Sequence, residues 1–401
     1  MARIFLDHNS TTRHLPEVVE AVARHSRESW ANPGSRHAEG RVARRALEDA
    51  REKIAAILNA SPKEVLFTSG GTEAINLAIL GLAARRPATV LLTAGEHPAV
   101  RQACGRLRER GWQLQFLDVD REGRIVGEQL EELGWDEIGL ATVILAHNET
   151  GVVQDVSPLA ERCRQRNIPL HVDAVQAVGK MPVDFRALGA TALSLGAHKF
   201  HGPVGIGALL LREGASLRPR QLGGHQESDL RAGTEPVALA VGMAVALARW
   251  QVDQAQRDSW IRGLRDRLEE GLKTACNPVV INGSVDFRLP NTLNIAFPGI
   301  EGDALFVGLD LAGISCSLGS TCASGSTEPS PALVAMGCPP EVVSSSVRFS
   351  LSFENTPDEI DDAVERIGNV VGRLRSAASR ETVFPNGRVN RQPEPSGRTS
   401  A

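Results

Sequence analysis

Short apolar runs dominate the middle of the chain. VLF, TVLLT, LQFLDV, LATVILA, PLHVD, TALSL and IGALLL recur between Val65 and about Leu211, separated by polar, glycine-bearing segments and a helical pattern near 157–166. Brief apolar runs bounded by turn residues read as strands buried on both faces, and their alternation with helices predicts a mostly parallel sheet covered on both sides. Ahead of it, residues 4–7 read as a short strand, and 16–28 and 36–59 as helices. In the second helix Val42, Leu47, Ile54 and Ile57 fall near helical spacing. Beyond the sheet, a stretch rich in alanine, valine and leucine predicts one long helix over 237–275. NTLNIAF, a helix near 302–312, a strand over 346–352 and an amphipathic helix over 357–377 predict a smaller α+β unit. Pro385, Pro393 and Pro395, with no large apolar residue after Val389, predict a mobile tail over 381–401. The expected division is a large domain over 16–245, a small domain from 1–15 and 246–380, and that tail.

Composition narrows the class. The 401 residues leave room for two sizeable cores, and 42% hydrophobic content is that of an ordinary globular protein. A net charge of −4 argues against nucleic acid or an anionic membrane as the main partner. The opening MARIFLDHNSTT lacks a basic region followed by a long apolar stretch, and the apolar runs are too short to span a bilayer. The expected location is the cytoplasm. Six cysteines (104, 163, 276, 316, 322, 338) form no CxxC motif and are expected to be thiols. The chain has no tyrosine, which excludes any mechanism that needs a phenol.

In open α/β sheets ligands gather at the carboxyl ends of the strands, and the polar residues of this chain concentrate there. Lys199 follows TALSL between His198 and Phe200, and Asp173 closes IPLHVD. A lysine among apolar and imidazole neighbours has reason to shed its proton and condense with an aldehyde. A strand-end carboxylate can keep a pyridine nitrogen protonated, and pyridoxal phosphate needs both groups. FTSGGTEAINLAI sets Gly71 and Thr72 at the start of a helix, where free N–H groups suit a phosphate. GEHPAV puts Glu96 and His97 past another strand, and an imidazole there can stack on a ring and move protons. HNETGVVQD adds Asn148 and Glu149, and VDAVQAVG adds Gln176. Without tyrosine, Gln176 is the candidate partner for a ring oxygen. HKFH suggests a metal pair, but no third ligand has suitable spacing, and no metal is expected.

Three further segments complete the set. GGHQESDLRAGTEP carries Arg231 and Thr234, which either bind an anion across a dimer interface or belong to an ordinary loop. GSTCASGSTEPS surrounds Cys322 with small polar residues, as in an exposed loop where a thiol reaches its thiolate form. SVRFSLSF holds Arg348 inside an apolar strand, where a guanidinium needs an anion and a carboxylate fits its fork. Each residue alone also has a plainer reading: a surface lysine, a capping histidine, a strand-end aspartate, a structural ion pair.

Together, FLDHNSTT, NPGSRHAEGR, FTSGGTE, GEHPAV, HNETGVVQD, HVDAVQAVGK, AHKFHGPVGIG, RAGTEP, NTLNIAFPG, GSTCASGSTEPS and VRFSLSF resemble, in order, the cysteine desulfurases of the nitrogen-fixation and iron–sulfur assembly type, over about residues 4–375. The resemblance implies the aspartate-aminotransferase fold type of pyridoxal 5'-phosphate enzymes and a homodimer. It implies that Lys199 holds the cofactor aldehyde, Asp173 pairs with the pyridine nitrogen, and His97 stacks on the ring. Gln176 and Asn148 would bond the ring oxygen. Thr72, Gly71 and His198 would hold the phosphate, with Thr234 reaching the partner's cofactor. Arg348 and Asn148 would clamp the carboxylate of L-cysteine. Cys322 would accept its sulfur as a persulfide, carry it transiently and pass it to an iron–sulfur scaffold protein or another acceptor. Three positions depart from the family: Gly196 stands for a phosphate-binding serine, Val204 for a lysine, and Ser228 for an arginine. A selenocysteine lyase, another pyridoxal lyase or aminotransferase, and a catalytically weak sulfur-relay or scaffold-binding protein stand as alternatives. The lyase would need Cys322 less, and an aminotransferase would not need it.

Overall fold

The computed structural model describes residues 2–84, 86–318 and 329–381. Cys322 and all but the first residue of the expected tail lie outside the described residues. The chain opens with β1 (Ile4–Phe5), α1 (Pro16–Glu28) and α2 (Ala38–Ile57). There follow β2 (Val65–Thr68), α3 (Gly71–Leu82), β3 (Thr89–Thr93), α4 (Pro98–Arg108), β4 (Gln113–Leu117), α5 (Gln129–Glu132), β5 (Ile138–Ile144), α6 (Ser157–Gln165), β6 (Leu170–Asp173), α7 (Phe185–Leu188), β7 (Ala192–Gly196) and β8 (Gly207–Leu211). Seven of these strands form one sheet in the order β2-β8-β7-β6-β5-β3-β4. β8 runs antiparallel to both its neighbours, and the remaining pairs are parallel.

Successive strand residues point to opposite faces, so both faces need apolar cover. Val65, Phe67, Val143, Val172 and Leu193 join one cluster, with Leu47, Ile54 and Leu247 from the helices over it. Leu66, Val90, Leu92, Leu140 and Leu209 join the other, with Ile75 and Ile79 of α3 and Val100 of α4. This is why the strand signals lack the alternation of a half-exposed sheet.

The long helix expected over 237–275 is two, α8 (Val237–Val252) and α9 (Gln254–Ala275). α8 packs on α1 and α2 while α9 packs on another helix far down the chain. The break falls at Asp253, which leaves helical geometry and accepts from Arg249 at 2.6 Å. A third apolar cluster unites Ile4 and Leu6 with α9, β9 (Val280–Ile281), β10 (Thr292–Ala296), α10 (Gly302–Leu311), β11 (Ile314–Ser315), β12 (Ser317–Leu318) and elements after the undescribed segment. Those are β13 (Ser346–Ser350) and α13 (Pro357–Glu381), the helix that covers α9; the short α11 (Pro331–Ala335) and α12 (Pro340–Ser344) precede them. The sequence pattern had missed β9, β11 and β12, each only two residues long. Among the described residues, no helix is long and apolar enough to cross a membrane.

Candidate active site

Asp173 ends β6 and Lys199 lies three residues past the end of β7, its neighbour in the sheet. Lys199 Nζ donates to the carbonyls of Asn9 (2.7 Å) and Ser10 (2.8 Å), which belong to the segment after β1. Burial, and then the Arg348 charge, push its pKa down to about 8. The amine is therefore far easier to neutralise than an ordinary lysine.

Asp173 is 2% exposed. Burial pushes its pKa up, against the pull of His97, the Val175 N–H, Ser194 and Lys199. Its Oδ1 accepts from Val175 N at 3.0 Å and from Ser194 Oγ at 3.3 Å, leaving Oδ2 for another donor. Behind it runs a chain the sequence did not reveal. Because Ser194 spends its proton on Asp173, its oxygen accepts from His171 Nε2 at 3.2 Å, and His171 Nδ1 accepts from Thr142 at 2.8 Å. Burial holds the His171 pKa down at about 3, so the ring is neutral and its tautomer is fixed by its neighbours. These four residues sit on adjacent strands in register, Thr142 beside His171 and Asp173 beside Ser194.

His97 caps α4, its Nδ1 accepting from Ala99 N at 3.1 Å. The plain capping reading and the chemical one thus describe the same ring: the cap takes Nδ1, and Nε2 carries the proton. Burial lowers its pKa, partly opposed by Asp173. Beneath it, buried Glu96 accepts at Oε1 from Thr93 Oγ1 (2.7 Å) and Ile144 N (3.0 Å), while Oε2 has no partner among the described residues. Burial pushes its pKa up to about 8, which makes it a neutral acid at pH 7.

α3 begins at Gly71 without a side-chain cap, so its first N–H groups are free for an anion. Glycines build this turn. A Cβ on Gly71 would strike Val175 at 2.6 Å, one on Gly207 would strike Gly70, and one on Gly196 would stand 3.3 Å from Gly71 N. Gly196 and Gly207 pair across β7 and β8. Thr72 is exposed on the first turn. His198 Nδ1 pairs with Thr11 Oγ1 at 3.2 Å, and burial, then Lys199, hold its pKa near 4. Arg231 docks its loop onto this helix end by bonding Glu73 at 2.7 and 3.1 Å. Thr234, exposed on the same loop, makes no side-chain hydrogen bond to the cluster among the described residues.

Arg348 is buried in β13. It donates from NH2 to Asp7 (2.6 Å) and Ser317 (2.9 Å), and from NH1 to the Asn148 carbonyl (3.0 Å); its Nε has no partner among the described residues. The anion it needs is thus Asp7, a residue the sequence had not singled out. The Asn148 carbonyl also accepts from Asn9 Nδ2 at 3.3 Å. Gln176 is buried and donates from Nε2 to the Asn9 carbonyl at 2.8 Å. Lys180 and Asn9, likewise missed, bond each other inside the same cluster.

Most of the chain matches known proteins. The family model for class-V aminotransferases covers residues 4–363. The cysteine desulfurase NifS of Azotobacter vinelandii is 40% identical over 381 residues, 94% of this chain and 95% of that protein. An IscS-like cysteine desulfurase of Mycobacterium tuberculosis is 41% identical over 385 residues, 93% and 98% of the two chains. A solved NifS-like protein superposes with TM-score 0.87 at 34% identity, over 93% of this chain and 100% of that one. A NifS-like protein from Rickettsia africae gives 0.84 at 30%, over 92% and 99%.

Proposed function

The chain belongs to the class-V aminotransferase family and is a pyridoxal-phosphate-dependent cysteine desulfurase, and from that premise we propose which of its residues do the work. The observation that carries the assignment is Lys199, a half-buried amine with its pKa near 8, beside a buried strand-end carboxylate. The donor set suits the cofactor. Asp173, whose pKa burial raises, would hold the ring nitrogen of the bound cofactor by a charge-assisted hydrogen bond. The uncapped start of α3, where a Cβ on Gly196 would crowd the Gly71 N–H, leaves room for a phosphate oxygen.

In this reading Lys199 holds the cofactor aldehyde and later moves the substrate Cα proton on Nζ. Gln176 and Asn148 bond the ring oxygen. Gly71, Thr72 and His198 hold the phosphate, and Thr234 reaches the other site of a homodimer. His97 stacks on the ring and exchanges a proton at Nε2. Arg348, with Asn148, binds the substrate carboxylate, which competes with Asp7 for the guanidinium. When bound, the cofactor supplies an electron sink next to the substrate Cα. The Cys322 thiolate forms an S–S bond with the substrate sulfur as the Cβ–S bond breaks, and the electron pair stays with the carbon that becomes the alanine methyl. L-cysteine and one enzyme thiol give L-alanine and one persulfide, with no outside oxidant. The persulfide then passes to an iron–sulfur scaffold or another thiol acceptor, in the cytoplasm. The apolar clusters favour a large and a small domain close to the expected division of 16–245 against 1–15 and 246–380, with the boundary moved past α8, because Leu247 and Trp250 join the cluster over the large sheet.

The direct test is alanine and sulfide released from L-cysteine by the cofactor-loaded protein with a thiol reductant. Equal amounts of both support the assignment; a keto acid in place of alanine would replace it with an aminotransferase.

Two further results are expected. Only the neutral amine attacks an aldehyde, so capture of pyridoxal phosphate by the unloaded protein should quicken about tenfold per pH unit below pH 8 and level off above it. Stopped-flow absorbance checks this, and a rate that is flat from pH 6 to 8 would remove Lys199 as the capturing amine. Gly196→Ser returns the family's phosphate-binding hydroxyl. One added hydrogen bond is worth about 1 kcal/mol, so about fivefold tighter cofactor binding is expected by equilibrium dialysis. Weaker binding than the parent's would mean that the close approach to Gly71 N matters more than the hydroxyl.

A further inference from the structure

Lys180 is only 8% exposed, yet no carboxylate comes within ion-pair reach of it among the described residues. Its Nζ donates to two amide oxygens, Asn9 Oδ1 at 2.7 Å and Gln176 Oε1 in a short contact. Burial, then the charges of Lys199 and Arg348, push its pKa well below the ordinary lysine value. A buried amine without a counter-ion destabilises the fold, so its retention calls for another reason.

Its neighbours supply one. Gly179 adopts φ +78°, and a Cβ there would collide with the Phe200 side chain, so glycine lets the Lys180 turn press against the residue next to Lys199. Asn9 is the hub: its carbonyl accepts from both Lys199 Nζ and Gln176 Nε2, and its Oδ1 accepts from Lys180 and from Asn291 at 3.0 Å. A side-chain amide has one accepting and one donating end, and a lysine only donates here. Lys180 therefore fixes Gln176 with Oε1 toward itself and Nε2 away. One Nε2 proton goes to the Asn9 carbonyl, which leaves the second free.

We propose that Lys180 is a positioning residue: it orients the Gln176 amide as a donor toward the ring oxygen of pyridoxal phosphate, and through Asn9 it holds the carbonyl that seats Lys199. The proposal rests on the reading that Gln176 touches that ring oxygen. Without Lys180, Oε1 is a buried acceptor lacking a donor, and the amide turns to find one. The ring oxygen then loses a donor and becomes more basic, so the visible chromophore holds its proton to higher pH. The charges nearby are Asp7, Lys199 and Arg348, with the rings of His8, His198 and His201. These remain in every variant below.

The test compares Lys180→Met, Gln176→Ala and the double variant as cofactor-loaded proteins. It reads the pH midpoint of the visible absorption band and the dissociation constant of pyridoxal phosphate. The expected result is a midpoint raised by about one pH unit and affinity weakened about tenfold in each single variant, with no further change in the double. A parental midpoint in Lys180→Met, beside a shifted one in Gln176→Ala, would overturn the positioning role. Parental midpoints in both would instead remove the contact between Gln176 and the ring. If Lys180→Met does not fold by circular dichroism, Lys180→Gln decides. Its amide can present either end, so a midpoint between the parent's and that of Gln176→Ala is expected, and a parental midpoint overturns the proposal.

Discussion

Lys199→Ala is expected to abolish alanine formation from L-cysteine, with kcat falling about 10³-fold or more. Removing a positioned proton-transfer group alone typically costs about 10²–10⁴-fold, and this residue also holds the cofactor. Nζ has two backbone carbonyls to seat it and no carboxylate hydrogen-bonded to it among the described residues. No other amine stands ready at the same place: Lys180 is buried and committed to Asn9 and Gln176. The variant should fold, because the side chain it removes is only half buried and one of the two released carbonyls, that of Asn9, keeps its bond from Gln176. The measurement is twofold: turnover by alanine release, and the visible band of the bound cofactor, which should lose the position characteristic of a lysine-held aldehyde. Substantial turnover by Lys199→Ala would mean that a different group moves the proton, and the assignment of this site would fail.

Cys322→Ala is expected to leave the cofactor band unchanged while persulfide formation disappears and alanine release falls about 10²-fold or more, the usual cost of losing a covalent nucleophile. The separation of the two readouts is the informative part. Among the described residues, Lys199 and Gln176 both bond the Asn9 carbonyl, Asp173 accepts from Val175 N, and His97 caps α4, so each of these side chains has a partner of its own. Mass spectrometry of the protein after one exposure to L-cysteine should show an added sulfur on the parent and none on the variant. Alanine formed equally well by both proteins would point to a lyase that releases sulfur without the thiol. Three of the other thiols are poor substitutes: burial pushes Cys104 and Cys163 up to about 12 and Cys276 to about 11.

Much of the architecture was legible because it rests on local pattern. Uninterrupted apolar runs marked strands covered on both faces, and the residues after them marked the carboxyl edge where Lys199, Asp173, His97 and Asn148 stand. The pattern failed where partners, not propensity, set the boundary. Nothing in the apolar spacing of 237–275 announces Asp253 as a break, because α8 and α9 part to reach different helices. The two-residue strands β9, β11 and β12 are too short to carry a period and exist through the chains they pair with.

The sequence by itself determined the alternating strand and helix order, the glycines that force the turn at Gly70–Gly71, and the chemical types available at each strand end. Those follow from side-chain volume, polarity and backbone freedom, which each residue carries wherever it goes. Only the tertiary structure decided which groups meet. Asn9 reaches Asn148, Gln176, Lys180, Lys199 and Asn291, all more than a hundred residues away. Arg348 finds Asp7 across nearly the whole chain. Proton affinities were settled at the same stage. A lysine with a pKa near 8 and a glutamic acid neutral at pH 7 are ordinary residues in the sequence, and burial with its neighbouring charges, which no local pattern records, made them otherwise.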